Sequence, residues 1–481
     1  MPESSNVMKS VSIEKSSAIK GLSMLALAIT MSASMWISSS HRSHAVEHKL
    51  DSLGFAARNF SDLYPRWLGS RELLLHKRDP YSQAVTEEIQ RGYYGRPAGQ
   101  GNSYIEDEQR FAYPLYVVFL LAPVVYVPFS IVKLIFIFVL PACAIVTVLV
   151  WLKVIEIQIA GLYKTSLLIL AVTSLPYISG LFLQQLSILV AFFIAAALWC
   201  IARDKLLLSG AFLALSTIKP QLSCFLICWI VVWSLSRWQS RRSVLFSFLG
   251  FTGALCAASE VLLPGWFLEF IAGLGPYLRY THARAGIQVL LGNIGSMLVI
   301  LIMACMVARY IWKVRKEESN SKGFVSAVVF VLTLTDVVVP SLAPHTEVLL
   351  LPAYLLFLKE CKTIQKAGRL ARSLVLGSWL VVLWPFATSF LLFLGFYLWS
   401  NEISWKYWNL PMATNPLVPV AAFLGLVPLL RLRTTVSVSP SSPSTLRLND
   451  ENAGSGIRGN KVDNSINRTF WRGGGRSGRK F

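Results

Sequence analysis

Four polar positions, far apart in the chain, have the residue types needed to move a proton and hold an anion. Asp62 is an isolated carboxylate in the polar and aromatic stretch from Asn59 to Tyr81. Gln185, Lys219 and His345 each stand between an apolar run and a short loop. A carboxylate can take the proton of an attacking hydroxyl, a histidine can orient or relay it, and fixed cations stabilise a leaving phosphate. The set predicts attack by a hydroxyl on a sugar linked through phosphate.

Each of these residues also has an ordinary structural interpretation. Asp62 can be a solvated loop residue or a helix cap, and Lys219 can extend along apolar surface to the membrane interface. Gln185 and His345 can cap the starts of helices. Asp336 is the sharper case, because it lies within an apolar run, where a charge is costly and usually functional. It can pair with a cation or stay protonated.

The elements that would position these residues are membrane-spanning helices. Of the 481 residues, 54% are hydrophobic and 15% are charged, whereas a soluble domain has roughly a quarter charged. Apolar runs of about twenty residues alternate with short charged loops, which is typical of a polytopic membrane protein. The net charge of +20 comes mainly from short loops and the C-terminal tail, which fits contact with a membrane surface better than a nucleic-acid groove.

The seven cysteines indicate no disulfide framework, because six of them lie in apolar runs. Cys224 and Cys228, four residues apart, are predicted to share one helix face and to pack in the core.

The distribution of basic residues predicts which loops lie on the cytoplasmic side of the membrane. The run from Gly21 to Ser38 is expected to be an uncleaved first span, with a cleavable signal peptide as the alternative. Three prolines interrupt the segment from Tyr113 to Phe129, and we expect it to be re-entrant or to lie on the surface. If it crossed, every later loop would change sides and the basic loops would no longer be cytoplasmic. The other spans, giving about 11–13 in all, are expected near Ile131–Trp151, Ser166–Ser179, Gln185–Ala202, Leu206–Ile218, Leu222–Leu235, Ser243–Leu263, Ile287–Trp312, Gly323–Val339, Glu347–Leu358, Ser373–Trp399 and Pro416–Leu430.

Three regions follow from this topology. Residues 1–20 are expected to be a cytoplasmic tail, residues 21–430 a transmembrane domain, and residues 431–481 a disordered, basic cytoplasmic tail. The first non-cytoplasmic loop covers about residues 39–130, with surface helices predicted over 51–60 and 64–75. The candidates Asp62, Gln185, Lys219 and His345 then share the non-cytoplasmic face.

Short motifs occur in a fixed order between Met24 and Leu358. They are Arg78-Asp79-Pro80-Tyr81 after a Leu-rich run, Phe111-Ala112-Tyr113-Pro114-Leu115 with Pro123 downstream, Gln185-Leu186-Ser187, Ser209-Gly210-Ala211, Ile218-Lys219-Pro220 and Pro344-His345. The ordered set resembles glycosyltransferase family 87, the polyprenyl-phosphate-mannose-dependent mannosyltransferase-like proteins of the GT-C superfamily. The chain differs from that family at Gln184, where Gly is usual, and at Leu115, where Pro is usual. It also lacks the usual Ser-Pro and aromatic pattern before His345.

The resemblance implies an all-α polytopic membrane protein with a GT-C-type fold and a long first non-cytoplasmic loop. In that pattern Asp62 matches the catalytic base and His345 the histidine that assists it. Lys219 and loop arginines are expected to hold the donor phosphate, and Gln185 to shape the site. The candidate set is then Asp62 and His345 as catalytic residues, with Gln185, Lys219, Arg66, Tyr113 and Asp336 as substrate-binding residues.

These expectations describe a multi-pass membrane glycosyltransferase with its site facing the periplasm or exterior of the plasma membrane. It would move a hexose such as mannose from a polyprenyl-phosphate donor to a glycolipid or glycan acceptor, with inversion, because one base suffices for a single displacement. No cofactor, metal or nucleic acid is predicted, since the lipid-phosphate sugar is a co-substrate. The first loop has no Asp-x-Asp metal motif, and Glu106-Asp107-Glu108 is expected to be a solvated acidic patch. The alternatives are a transporter or flippase for an anionic or lipid-linked substrate, and a scaffold that uses its basic tail.

Overall fold

The computed structural model describes residues 3–52, 59–97, 109–159, 161–280, 284–340, 343–398 and 406–436, all within one unit, Met1–Ser437. These residues form α-helices and short 3-10 helices, and no β-strand occurs among them. Three sequence-based expectations fall outside the described residues: the acidic patch at 106–108, the middle of the first surface helix at 53–58, and the tail from 437 onward.

The described helices, numbered in chain order, are α1 (Glu3–Ser52), α2 (Tyr64–His76), α3 (Gln83–Tyr94), α4 (Val117–Leu121), α5 (Phe129–Val154), α6 (Gly161–Val172), α7 (Leu175–Phe182), α8 (Ser187–Ala202), α9 (Leu206–Ser216), α10 (Pro220–Ser236), α11 (Trp238–Leu262), α12 (Trp266–Tyr280), α13 (Gly286–Val314), α14 (Lys322–Val338), α15 (Leu351–Lys359), α16 (Cys361–Lys366), α17 (Arg369–Leu398) and α18 (Val418–Val436). The 3-10 helices are Ala122–Val124, Pro344–Leu350, Leu410–Met412 and Asn415–Leu417.

Within the described part of the chain, six helical stretches are long and apolar enough to cross a membrane, which confirms the all-α polytopic class. They are Ala18–Ser52, Phe129–Val154, Trp238–Leu262, Gly286–Val314, Arg369–Leu398 and Leu410–Leu429. The pair α6 and α7, bent by 56°, is a seventh if it counts as one span. This is fewer than the predicted 11–13, because helices such as α9, with 11 residues, are short. Eleven residues rise about 17 Å, against a hydrocarbon core of about 30 Å.

The proline-rich segment at the end of the first loop forms no helix long enough to cross a membrane. It forms α4, of 5 residues, and a 3-10 turn of 3 residues, before Pro128 precedes α5. Proline lacks the N–H that a continuing helix needs, so Pro123 accompanies the break after α4, and Pro128 lies just before the start of α5. The segment therefore forms no long helix, and its re-entrant or surface position stays a prediction.

Two helices lie in the first loop. The helix predicted at 64–75 is α2, but nine of its 13 residues are buried, so it packs inside the protein rather than on a surface. It is followed by Lys77 in the left-handed conformation (φ 57°). Arg78 then forms ion pairs of 2.7 Å with Glu72 on α2 and with Glu88 on α3. These contacts hold α2 and α3 together beside the site.

Three expectations were wrong in detail. The predicted span Glu347–Leu358 is a 3-10 helix, Pro344–Leu350, followed by α15, because a proline near the start of each piece breaks the hydrogen-bond ladder. Cys224 and Cys228 are exposed on α10 rather than packed in the core. An apolar side chain on the outside of a membrane helix is covered by lipid. Cysteines in an apolar run therefore need not be buried inside the protein. The helix α18 also continues past 430 to Val436.

Candidate functional site

The first loop is joined to the turn between α7 and α8 by consecutive hydrogen bonds. The backbone N–H of Asp62 donates to the carbonyl of Leu183 at 2.9 Å. The Ser61 hydroxyl donates to Gln184 Oε1 at 2.8 Å. Ser61 and Asp62 are neighbours in the first loop, and their partners Leu183 and Gln184 are neighbours in the turn. The two bonds therefore fix the backbone position from which the Asp62 side chain projects.

Gln184 occupies the backbone position that glycine usually takes in the resembled family. Its φ is 52°, in the left-handed region that glycine adopts without strain. Its side chain bridges two segments: Oε1 accepts from Ser61, and Nε2 donates to the carbonyl of Lys133 at 2.8 Å. The amide thereby supplies contacts between the first loop and α5 that a glycine cannot make.

Three predicted residues form one hydrogen-bonded chain. Gln185 Nε2 donates to Asp62 Oδ2, and Lys219 Nζ donates to Gln185 Oε1 at 2.7 Å. Asp62 is half-buried, whereas Gln185 and Lys219 are buried. The structure therefore brings together a carboxylate and an ammonium from segments more than 150 residues apart in sequence, with one amide between them.

Tyr113 lies beneath two of the candidate cations. The Arg66 guanidinium is 4.7 Å and the Lys219 ammonium 5.9 Å from the centre of its ring. Arg66 Nη1 also donates to the carbonyl of Asp62 at 2.7 Å, and the hydroxyl of Tyr81 donates to the carbonyl of Tyr113 at 2.7 Å. A ring face attracts cations, so Tyr113 keeps two positive charges near each other without neutralising them.

Lys219 stands at the start of α10, in a turn tied to the first loop. The Tyr116 hydroxyl contacts both the carbonyl and the hydroxyl of Thr217 at 2.9 Å. Burial lowers the pKa of Lys219 to about 7, with a further lowering from Arg66 and an opposing effect from Asp62. An anion bound here would favour the ammonium form.

His345 lies on the 3-10 helix Pro344–Leu350, which packs against α7. A Cβ placed on Gly180 of α7 would be 3.5 Å from the His345 Cβ. Burial lowers the pKa of His345, and the charges of Lys219, Arg66 and Arg42 lower it further. His345 is thus a neutral imidazole beside the cations, suited to orienting or relaying a proton.

Asp336 is the candidate that the structure does not join to this group. It is buried on α14, and neither carboxylate oxygen has a hydrogen-bond partner among the described residues. Its near neighbours are Glu347 and Thr346, on the 3-10 helix that carries His345. Asp336 therefore lies next to the 3-10 helix that carries His345. It is not part of the hydrogen-bonded chain that begins at Asp62.

A cavity of about 360 Å³ opens on one side of Asp62. Its lining includes residues that the sequence analysis did not identify, among them Arg42 and Ser179. The signal for Arg42 was weak, because a lone arginine just after an apolar run is ordinary. The lining also includes Phe60, Tyr93, Tyr94 and Gln109.

The sequence model of glycosyltransferase family 87 matches residues 111–340. The matched stretch includes Tyr113, Gln185, Lys219 and Asp336, whereas Asp62 and His345 lie outside it. No curated protein and no solved structure matches the chain.

Proposed function

We propose, from the membership of this chain in glycosyltransferase family 87 through residues 111–340, that it transfers a hexose from a polyprenyl-phosphate donor to a hydroxyl acceptor. The observation that carries the proposal is the chain of hydrogen bonds from Asp62 through Gln185 to Lys219. In this chain Asp62 serves as the base for the acceptor hydroxyl, and Lys219 as the cation for the leaving phosphate. The reaction needs both functions.

The proposed reaction is a single displacement. The acceptor oxygen forms a bond to the anomeric carbon of the donor sugar while the bond from that carbon to the phosphate oxygen breaks. Asp62 takes the proton of the acceptor hydroxyl, and the polyprenyl phosphate leaves with the electron pair. Lys219 and Arg66 stabilise the charge that grows on the phosphate. One base acting in one displacement inverts the anomeric configuration.

Two further residues support this arrangement. His345, held neutral, assists the proton transfer, and Tyr113 keeps Arg66 and Lys219 near the phosphate position. The donor already carries an activated sugar, so the reaction needs no nucleotide and no metal. We place the site on the periplasmic or exterior face of the plasma membrane, with a glycolipid or glycan as acceptor.

The test replaces Asp62 in the purified full-length protein. Asp62→Asn keeps the size of the side chain and removes the base, so transfer from polyprenyl-phosphate sugars should fall about 10²–10⁴-fold while donor binding persists. The assay incubates a panel of polyprenyl-phosphate hexoses with membrane extracts as a source of acceptors, and mass spectrometry identifies the products.

Asp79→Asn is the matched control for this test. Asp79 is in the same loop, and its Oδ1 accepts from the backbone N–H of Tyr81 at 2.8 Å, a bond that an asparagine oxygen can also accept. Activity should stay within about twofold of the wild type. Undiminished transfer by Asp62→Asn would show that Asp62 is not the base.

A further inference from the structure

The cavity beside Asp62 and the cluster of cations are formed by different residues, and Asp62 contacts both. Asp62 lines the cavity, whereas Gln185, Lys219 and Arg66 do not. In a single displacement the base contacts the acceptor and not the leaving group. The cavity therefore suits the acceptor, and the cations Lys219 and Arg66 suit the donor phosphate.

Arg42 brings a positive charge into this cavity from the end of α1. Its described hydrogen bond runs from Nη1 to the thioether sulfur of Met412, a weak acceptor. No carboxylate among the described residues forms an ion pair with it. A guanidinium has five N–H donors in a planar fork that matches a carboxylate or a phosphate, so Arg42, with one described hydrogen bond, keeps donors for an anion in the cavity that it lines.

Lys219 and Arg66 balance the negative charges of Asp62 and the donor phosphate without Arg42. Before transfer, ionised Asp62 and the donor phosphodiester carry one negative charge each, against Lys219 and Arg66. After transfer, Asp62 is protonated and the leaving phosphate monoester approaches two negative charges, again against the same two cations. Because the donor already has its counter-charges, the charge of Arg42 remains for a different anion.

The rest of the cavity suits a sugar. Ser179 is 5% exposed and its hydroxyl has no hydrogen-bond partner among the described residues, although it lines the cavity. Phe60 and Tyr93 present rings whose centres are 5.7 Å apart. Apolar ring surface with a few convergent polar groups is the usual composition of a ligand pocket, and about 360 Å³ is at the small end of the common range.

We propose that this cavity binds the acceptor sugar and that Arg42 recognises an anionic group, a carboxylate or a phosphate, within one sugar unit of the reacting hydroxyl. The proposal rests on the proposed function for the identity of Asp62 as base. Arg42 is then a specificity-determining residue, which selects acidic acceptors over neutral ones of the same shape.

The test measures equilibrium binding to the full-length protein in nanodiscs, without donor. The probes are the methyl glycosides of glucose, mannose and galactose, each as the neutral sugar, the hexuronic acid and the 6-phosphate. The wild type should bind at least one acidic form about tenfold more tightly than its neutral counterpart. Arg42→Gln should reduce this preference to within about twofold, and Arg42→Lys should keep part of it.

Arg91→Gln is the control for loss of an arginine elsewhere, because Arg91 is exposed and pairs with Glu87 on α3. It should keep the full preference. The thermal midpoint of each variant reports whether it has folded. Equal binding of acidic and neutral forms by the wild type in all three sugar series would overturn the proposal.

A parallel transfer assay separates this inference from the proposed function. If Arg42→Gln raises the KM for the polyprenyl-phosphate donor and leaves glycoside binding unchanged, Arg42 belongs to the donor side and the inference is wrong. If the wild type prefers acidic glycosides but transfers no sugar from any donor, the proposed reaction is wrong and the acidic-sugar site stands.

Discussion

At the scale of the residue, the amide of Gln185 controls how the charges of the site interact. It donates to the carboxylate of Asp62 and accepts from the ammonium of Lys219. A direct ion pair would hold the carboxylate in a charge-assisted hydrogen bond and make it a weaker base. The interposed amide contacts both groups, and no described hydrogen bond involves the second carboxylate oxygen of Asp62, Oδ1.

Lys219 provides a prediction for the dependence of activity on pH. The pKa of about 7 in the free protein means that its positive charge is lost as the pH rises through 7. Since the ammonium is proposed to bind the donor phosphate, kcat/KM for the donor should fall above pH 7. The value of kcat should change less, because bound phosphate raises the pKa of the ammonium.

Two variants of Lys219 complete this experiment. Lys219→Gln should lower kcat/KM about 10- to 100-fold at pH 6, since a hydrogen bond to a charged group is lost. Lys219→Arg stays charged across the range, so its profile should lose the decline above pH 7 even if its rate is lower. A decline with the same midpoint in Lys219→Arg would assign the titration to another group.

At the scale of the element, the close contact of α9 with α11 sets the position of the turn that carries Lys219. Gly210 makes this contact possible, because a Cβ there would lie 2.5 Å from Ser247 Cβ and 2.6 Å from the backbone nitrogen of Phe248. The backbone atoms of α11 cannot move aside as a flexible side chain can. The Ser209-Gly210-Ala211 motif is therefore explained by packing.

Gly210→Ala should destabilise the protein by about 1–3 kcal/mol, the usual cost of overpacking. Thermal unfolding in detergent measures the effect. Gly250→Ala is the control, because a Cβ at Gly250 on α11 meets nothing within 4 Å and alanine is the better helix former. Its midpoint should be unchanged or slightly higher. Equal midpoints for Gly210→Ala and the wild type would show that α9 and α11 can separate without cost.

At the scale of the whole molecule, the proposed orientation places the first loop outside the cell and the basic loops inside. The excess of Lys and Arg in the loops predicted to be cytoplasmic supports this orientation through the positive-inside rule. Two exposed positions allow a test: Ala84 at the start of α3, in the first loop, and the native Cys361, in a basic loop.

In a variant whose only thiols are Cys361 and one introduced by Ala84→Cys, a membrane-impermeant maleimide should label the introduced thiol on intact cells. Cys361 should react only after permeabilisation, because it is expected on the cytoplasmic side. Single-thiol variants, each with one of the two positions, serve as controls. The opposite pattern of labelling would reverse the orientation and put Asp62 on the cytoplasmic face.

The sequence alone determined the class of protein and predicted most residues of the candidate site. Long apolar runs and basic loops are local properties, and they predicted a polytopic helical protein because a bilayer requires them. The proline after Asp79 is typical of a turn, and there Asp79 Oδ1 accepts a hydrogen bond from the backbone N–H of Tyr81. Asp62 was identified as an isolated carboxylate in a polar stretch, and Gln185 and Lys219 as polar residues between an apolar run and a short loop.

Only the tertiary structure decided which of these residues meet. The chain from Asp62 to Lys219 depends on the first loop docking on the turn after α7, through bonds such as that of Ser61 with Gln184. The same packing leaves Asp336 apart from Asp62 and brings Arg42 to the cavity. Such contacts join segments separated by more than a hundred residues, and no local pattern records them, because helix packing and not sequence spacing sets the distances between side chains.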